Sequence, residues 1–218
     1  MASLARERGL ILDMDGVIID SNPWHRKAWA EYNRRHGIET DEAMQQRMYG
    51  KRNDDIVRDF FGAHLSEAEV YAHGAAKEKL YREMVRPVVN ESLVPGVREF
   101  LERHSGEPVG LATNAEPANV EFLIEEAGLR KCFRAVVDGH QVQNPKPHPD
   151  IYLRAAERLG VPPSRCIVFE DSFPGVEAAR AAGMAVVGIT TSHASLAGVD
   201  LEIPDFTSPD LEPWLANR

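Results

Sequence analysis

The chain has 218 residues, enough for one domain at the upper edge of ordinary size or for one domain carrying an insertion. Hydrophobic residues at 43% and charged residues at 27% exclude a disordered, collagen-like or disulfide-scaffold protein, and 25 Lys+Arg against 34 Asp+Glu argues against a broad basic surface for nucleic acid. Two cysteines, Cys132 and Cys166, are too few for a stapled secreted module, so both are expected to be buried and reduced, and the address cytoplasmic. The charged opening MASLARERGL leaves no room for a signal-peptide apolar stretch, and the absence of a long apolar run predicts no membrane span.

The first predicted strand is Gly9-Leu10-Ile11-Leu12. Residues from about 21 to 93 then show helical periodicity with no convincing strand. Ser21 or Asn22 caps a helix with Pro23 in its first turn, Trp24, Ala28 and Tyr32 on one face, and Gly37 at its end. Ile56, Val57, Phe60 and Phe61 form a second apolar face. Ser66 to Glu69 is a capping box opening a helix through Val70, Leu80, Met84 and Val85 that stops at Pro87.

From Val94 onward short apolar runs alternate with helices. The predicted order is a helix burying Val97, Phe100 and Leu101, a strand Val109–Ala112, a helix from Pro117 to Ala127 stopped by Gly128, and a strand Ala135–Val137. Asp150 caps a helix carrying Ile151, Tyr152, Ala155 and Leu159. A strand Ile167–Phe169, a helix from Pro174 to Ala182 and a strand Ala185–Ile189 follow. Strands separated by amphipathic helices predict right-handed crossovers and a parallel sheet covered on both faces, an α/β fold. Ligands bind beyond the carboxyl ends of such strands, which directs attention to the residues after each apolar run.

After the first strand come Asp13 and Asp15, two carboxylates at i and i+2 that point the same way and need a cation to sit together at a sheet end; a surface turn is the other reading. The second strand delivers Thr113 and Asn114, suited to holding anionic oxygens or to capping a helix. Prolines bracket Lys146 in Asn144-Pro145-Lys146-Pro147, a stiff presentation that a solvated lysine does not need. A later strand ends in Glu170 and Asp171, either of which also suits a helix cap. Their coincidence at successive strand ends outweighs the separate bland readings.

This ordered set resembles the haloacid dehalogenase-like hydrolases over nearly the whole chain, in the branch that holds β-phosphoglucomutase and phosphoglycolate phosphatase. The matching motifs are Asp13-Met-Asp15-Gly-Val, Leu111-Ala-Thr113-Asn114, Lys146-Pro, and Phe169-Glu170-Asp171-Ser-Phe-Pro-Gly175. The resemblance implies a Rossmann-like core (1–20 and 94–218) with an inserted helical cap (21–93). It implies an aspartyl-phosphate mechanism with Asp13 as nucleophile, Asp15 as general acid and base, Lys146 as fixed positive charge, and Thr113 and Asn114 on the phosphoryl oxygens. Mg2+ would be held by Asp13, the main-chain oxygen of Asp15, Asp171 and Glu170, the last directly or through water.

The implied activity is a magnesium-dependent phosphatase acting on a small phosphorylated metabolite, with no nucleic-acid or membrane partner and a monomeric or dimeric state. Asp15 argues against a dehalogenase, since halide leaves without a proton. A hexose phosphate mutase is the rival. Ser21 and His25 stand where that subgroup carries a hydroxyl residue and a histidine, and Lys51 and Arg52 follow Gly50 as candidate contacts to substrate. The mutase pattern has a lysine just before that glycine and an arginine three after it, where this chain has Tyr49 and Asn53. That departure favours a phosphatase.

Overall fold

The computed structural model describes residues 8–48 and 53–218. Four-residue apolar runs that alternate with amphipathic helices have one economical solution, a sheet whose backbone groups pair and whose two faces are both covered. Six strands adopt it: β1 (Gly9–Leu12), β2 (Val109–Ala112), β3 (Ala135–Val137), β4 (Cys166–Glu170), β5 (Ala185–Ile189) and β6 (Leu201–Ile203). They form one parallel sheet in the order β3-β2-β1-β4-β5-β6. The central strand β1 pairs Leu10 with Val109 and Ile167, and Leu12 with Leu111 and Phe169. Asp13 therefore leaves the sheet beside the residues that follow β2 and β4.

The remaining elements are α1 (Asn22–Arg35), α2 (Glu42–Met48), α3 (Asn53–Phe61), α4 (Glu67–Val85), α5 (Val97–Arg103), α6 (Pro117–Glu126), α7 (Asp150–Leu159), α8 (Phe173–Ala181) and α9 (Leu211–Ala216). The chain divides into two compact units, one of residues 1–21 with 89–218 and one of residues 22–88. No helix among the described residues is long and apolar enough to cross a membrane.

In the first unit α7 and α8 cover one face of the sheet, burying Ile151, Tyr152, Ala155, Ala178 and Ala179 against Ile11, Ala112, Val168 and Val186. Small residues on these helices allow close approach. Side chains alternate along a strand, so Phe169, next to Val168, meets Phe100 of α5 and Phe206 with ring centroids 5.1 and 5.4 Å away. In the second unit Trp29, Tyr32, Ile56, Val57, Val70 and Leu80 make a separate apolar core. The capping box at Ser66 is formed in both directions.

Several local expectations need correction. Trp29 rather than Trp24 is the fully buried indole of α1; Lys27 lies over the Trp24 ring at 4.0 Å. Asp150 does not cap α7, because it is already the first helical residue, and its carboxylate accepts the main-chain and side-chain N–H of Asn144 at 3.3 and 3.0 Å. Neither Glu170 nor Asp171 caps α8: Ser172 does, its Oγ accepting the Gly175 N–H. Cys166 is buried while Cys132 is half-buried, and both thiols are free.

Candidate active site

The carboxyl edge of the sheet collects acidic groups that sequence distance keeps far apart. Asp13 follows β1, Glu170 is the last residue of β4 and Asp171 comes next; all three are buried, and one oxygen from each lies within 4.8 Å of the others. Close packing of these carboxylates depends on two glycines. At Gly16, with φ +73°, an added Cβ would lie 1.8 Å from Asp171 Oδ2, and at Gly175 it would lie 1.7 Å from Glu170 Oε1. Any side chain at either position would displace a carboxylate.

Lys146 enters this cluster from the loop after β3. Its side chain is 5% exposed, and its Nζ stands 2.9 Å from Asp13 Oδ1 and 2.6 Å from Glu170 Oε1. The loop that carries it is tied down locally. Asn114 Oδ1 accepts the Lys146 N–H at 3.3 Å, Asp150 holds Asn144, and Asp138 Oδ1 accepts the His140 N–H at 2.9 Å. The Tyr152 ring supports the ammonium from 4.9 Å.

Glu170 is saturated by its surroundings. Oε1 accepts Lys146 Nζ and the Tyr152 hydroxyl at 2.7 Å, while Oε2 accepts the N–H groups of Asp171 and Ser172 and the Ser172 hydroxyl, each at 2.9 Å. Burial alone would raise its pKa, but the Lys146 charge and these hydrogen bonds hold the carboxyl below its ordinary value. The other two move the opposite way. Burial pushes Asp13 up to about 7, with Glu170 and Asp15 adding repulsion against the pull of Lys146. Burial, then Glu170 and Asp13, push Asp171 up to about 8.

Three carboxylates against one ammonium leave the cluster short of positive charge. An oxygen-only donor set of this kind fits a hard divalent cation, which takes carboxylates and carbonyls and would restore the charged form of Asp13 and Asp171. The arrangement can therefore bind an anionic group beside a buried nucleophilic carboxylate, provided a cation completes it.

The other predicted residues fall as follows. Asp15 is half-buried, and its residue bridges to Ile19. Thr113 is buried, its Oγ1 accepting the Ala115 N–H at 3.2 Å, and Asn114 is exposed beside it. Ser21 is wholly buried, and its Oγ has no hydrogen-bond partner among the described residues. His25 belongs to the helical unit, where its Nδ1 meets Lys77 Nζ at 2.9 Å and its ring stacks on Tyr81 at 3.9 Å. Lys51 and Arg52 lie outside the described residues. Sequence reasoning missed the parts played by Tyr152, Ser172 and Ser192. In the sequence Tyr152 shows only as part of an apolar helix face, Ser172 only as a member of the last motif, and Ser192 carries no signal.

A protein-family model described as haloacid dehalogenase-like hydrolase matches residues 7–183. Over 186 residues the chain is 39% identical to a protein of Escherichia coli K12 named fructose-1-phosphate phosphatase YqaB, covering 84% of this chain and 97% of that one. Over 210 residues it is 29% identical to a beta-phosphoglucomutase of Bacillus subtilis, covering 94% and 92%. A crystal structure of a family IA, variant 3 hydrolase from Entamoeba histolytica superposes with a TM-score of 0.84 at 26% identity, over 97% of this chain and all of that one. With the motif residues converging at one sheet edge and the family model spanning most of its length, the chain belongs to the haloacid dehalogenase-like hydrolases.

Proposed function

We propose that the protein is a magnesium-dependent phosphatase of small phosphorylated sugars, working through an aspartyl-phosphate. The observation that carries this reading is the meeting of Asp13, Lys146, Glu170 and Asp171 in one buried cluster. A carboxylate that attacks an already anionic phosphoryl group needs positive charge on both partners.

Asp13 attacks phosphorus through one carboxylate oxygen, and the bond from phosphorus to the leaving oxygen breaks. Asp15 protonates that oxygen as the alcohol departs and then takes a proton from the water that opens the acyl phosphate. Lys146 keeps its charge between Asp13 and the incoming anion. Thr113 and the Asn114 main-chain N–H hold phosphoryl oxygens, and the Asn114 side chain steadies the lysine loop. The cation would be held by Asp13, Asp171 and the Asp15 carbonyl. Glu170, with five donors already on its oxygens, orients Lys146 and reaches the ion only through water. When bound, Mg2+ supplies charge neutralisation on the phosphoryl group.

The mutase reading draws on the Bacillus subtilis relative. Against it, Asn53 stands where the mutase pattern has an arginine, and its amide donates to Glu78 Oε1 at 2.6 Å inside the helical unit. We read residues 22–88 as the cap, with His25, Lys51 and Arg52 among its candidate substrate contacts, and keep Ser21, the last residue before it, as a further candidate. The name of the Escherichia coli relative puts fructose 1-phosphate first in a test panel.

The test is phosphate release over sugar phosphates with Mg2+ or with chelator, beside Asp13→Asn. Hydrolysis that requires Mg2+ and disappears in a folded Asp13→Asn variant is the expected result. Hexose phosphate isomerisation without phosphate release would transfer the assignment to the mutase, and activity retained by Asp13→Asn would end the covalent mechanism.

A further inference from the structure

The loop after β5 takes no part in the reading above, yet it touches two of the segments that build the site. Ser192 Oγ donates to Asp171 Oδ2, and Thr191 Oγ1 donates to the carbonyl oxygen of Gly16. Gly16 is also the residue whose missing Cβ makes room for Asp171 Oδ2, and its N–H donates to Ile19 O at 2.8 Å. Two consecutive hydroxyls thus join the turn after β1 to the acid after β4.

We infer that Ser192 is a positioning residue that aims the Asp171 carboxylate at the cation, with Thr191 steadying the Gly16 turn against it; this rests on the cation reading proposed above. Asp171 is 5% exposed and stands among like charges, so its carboxylate gains by rotating away from Asp13 and Glu170 unless something holds it. A hydroxyl on Oδ2 fixes the rotation of the carboxylate, which keeps one oxygen within 4.8 Å of an oxygen of Asp13 and of Glu170.

The chemistry of the partner also matters. Glu170 is bonded to an ammonium, which spends its charge, whereas the hydroxyl of Ser192 is neutral and leaves the Asp171 charge for a metal. Hydrogen bonds behind a ligating carboxylate typically change metal affinity about 10- to 100-fold. Thr191 acts one step further away, on the peptide after the Asp15 carbonyl, and its effect is smaller.

The decisive measurement is Mn2+ binding by electron paramagnetic resonance on the full chain without substrate, repeated as the Mg2+ dependence of thermal unfolding. Ser192→Ala is expected to weaken Mn2+ and Mg2+ about 10- to 100-fold, with the melting temperature in chelator unchanged. Ser192→Thr, which keeps the donor, is expected to restore most of the affinity, and Thr191→Val to lower it only a few-fold. Should alanine reduce the folded yield, Ser192→Cys replaces the strong donor by a weak one at similar volume and must show the same loss.

Wild-type affinity in Ser192→Ala or Ser192→Cys overturns the inference while leaving the metal site standing. An equal affinity loss in Ser192→Thr and Ser192→Ala also overturns it. No Mn2+ or Mg2+ binding by the wild type, with Asp171→Asn indistinguishable from it, overturns the cation reading itself and this inference with it.

Discussion

Each unit of the molecule buries a lysine against at least one carboxylate. In the sheet unit Lys146 is 5% exposed between Asp13 and Glu170; in the helical unit Lys77 is 2% exposed, 2.8 Å from Glu78 Oε1 and 2.9 Å from His25 Nδ1. The surroundings of the two ammonium groups differ in charge. Lys77 and Glu78 balance, and although burial would raise Glu78, the charge of Lys77 and the hydrogen bonds from Lys77 and Asn53 help bring it down to about 2. Around Lys146 the acids are in excess, and Asp13 and Asp171 are pushed up to about 7 and about 8. The balanced pair lies within α4 and ties it to α1 through His25 and to α3 through Asn53, whereas an unbalanced cluster retains a demand for a cation and an anionic ligand.

Removing each lysine separates these roles. Lys146→Ala is expected to lower kcat about 10³-fold with the fold retained by circular dichroism, and a loss under about tenfold, roughly 1.4 kcal/mol, would make that lysine peripheral. Lys77→Met is expected to act on stability, costing about 3 kcal/mol in urea unfolding because it strands the buried Glu78 carboxylate. The double variant Lys77→Met/Glu78→Leu should recover at least half of that loss. If it recovers none, the pair is not the balanced tie described here.

The charge excess also sets a pH dependence. A carboxyl whose folded pKa is raised stays protonated in the native state while the unfolded chain has already released its proton. Asp13 and Asp171 therefore withdraw stability progressively from about pH 4 up to about pH 8. His104, raised by its hydrogen bond to Glu107, loses its contribution in the same direction. Glu78 and Glu107, both lowered to about 2, give stability that is constant above about pH 5. Metal-free protein should melt at a lower temperature at about pH 8.5 than at about pH 5.5, and Mg2+ should raise the melting temperature more at the higher value. An equal rise at both would mean that the ion does not meet these two acids.

The smallest effect belongs to the helical unit alone. Ser66→Ala removes a formed capping box and is expected to cost about 1 kcal/mol of unfolding free energy in urea, with kcat unchanged.

Particular elements show how far the chain order speaks. β1, β2, β4 and β5 are legible because strands buried on both faces become short unbroken apolar runs, and α3 and α4 because their apolar faces repeat at helical spacing. β6 is not, since Leu201-Glu202-Ile203 is too short to show a period and becomes a strand only by pairing with β5 at the sheet edge. In α1 the spacing that selects Trp24 serves Trp29 nearly as well, and only packing against α4 chooses between them. At the start of α8 three successive residues, Glu170, Asp171 and Ser172, all suit a helix cap by residue type, and only the backbone turn selects Ser172.

The sequence by itself determined the α/β class, the strand ends that bear Asp13, Thr113, Glu170 and Asp171, and the proline-bracketed Lys146, because these depend on local periodicity and on residue chemistry at short spacing. Tertiary structure alone decided that Glu170 spends its oxygens on five donors, Tyr152 and Lys146 among them, and that Ser192 stands behind Asp171. The Lys146, Tyr152 and Ser192 contacts join side chains 18 or more residues apart, and the three local donors from Asp171 and Ser172 depend on the backbone turn after β4, so neither leaves a trace in residue type or spacing along the chain.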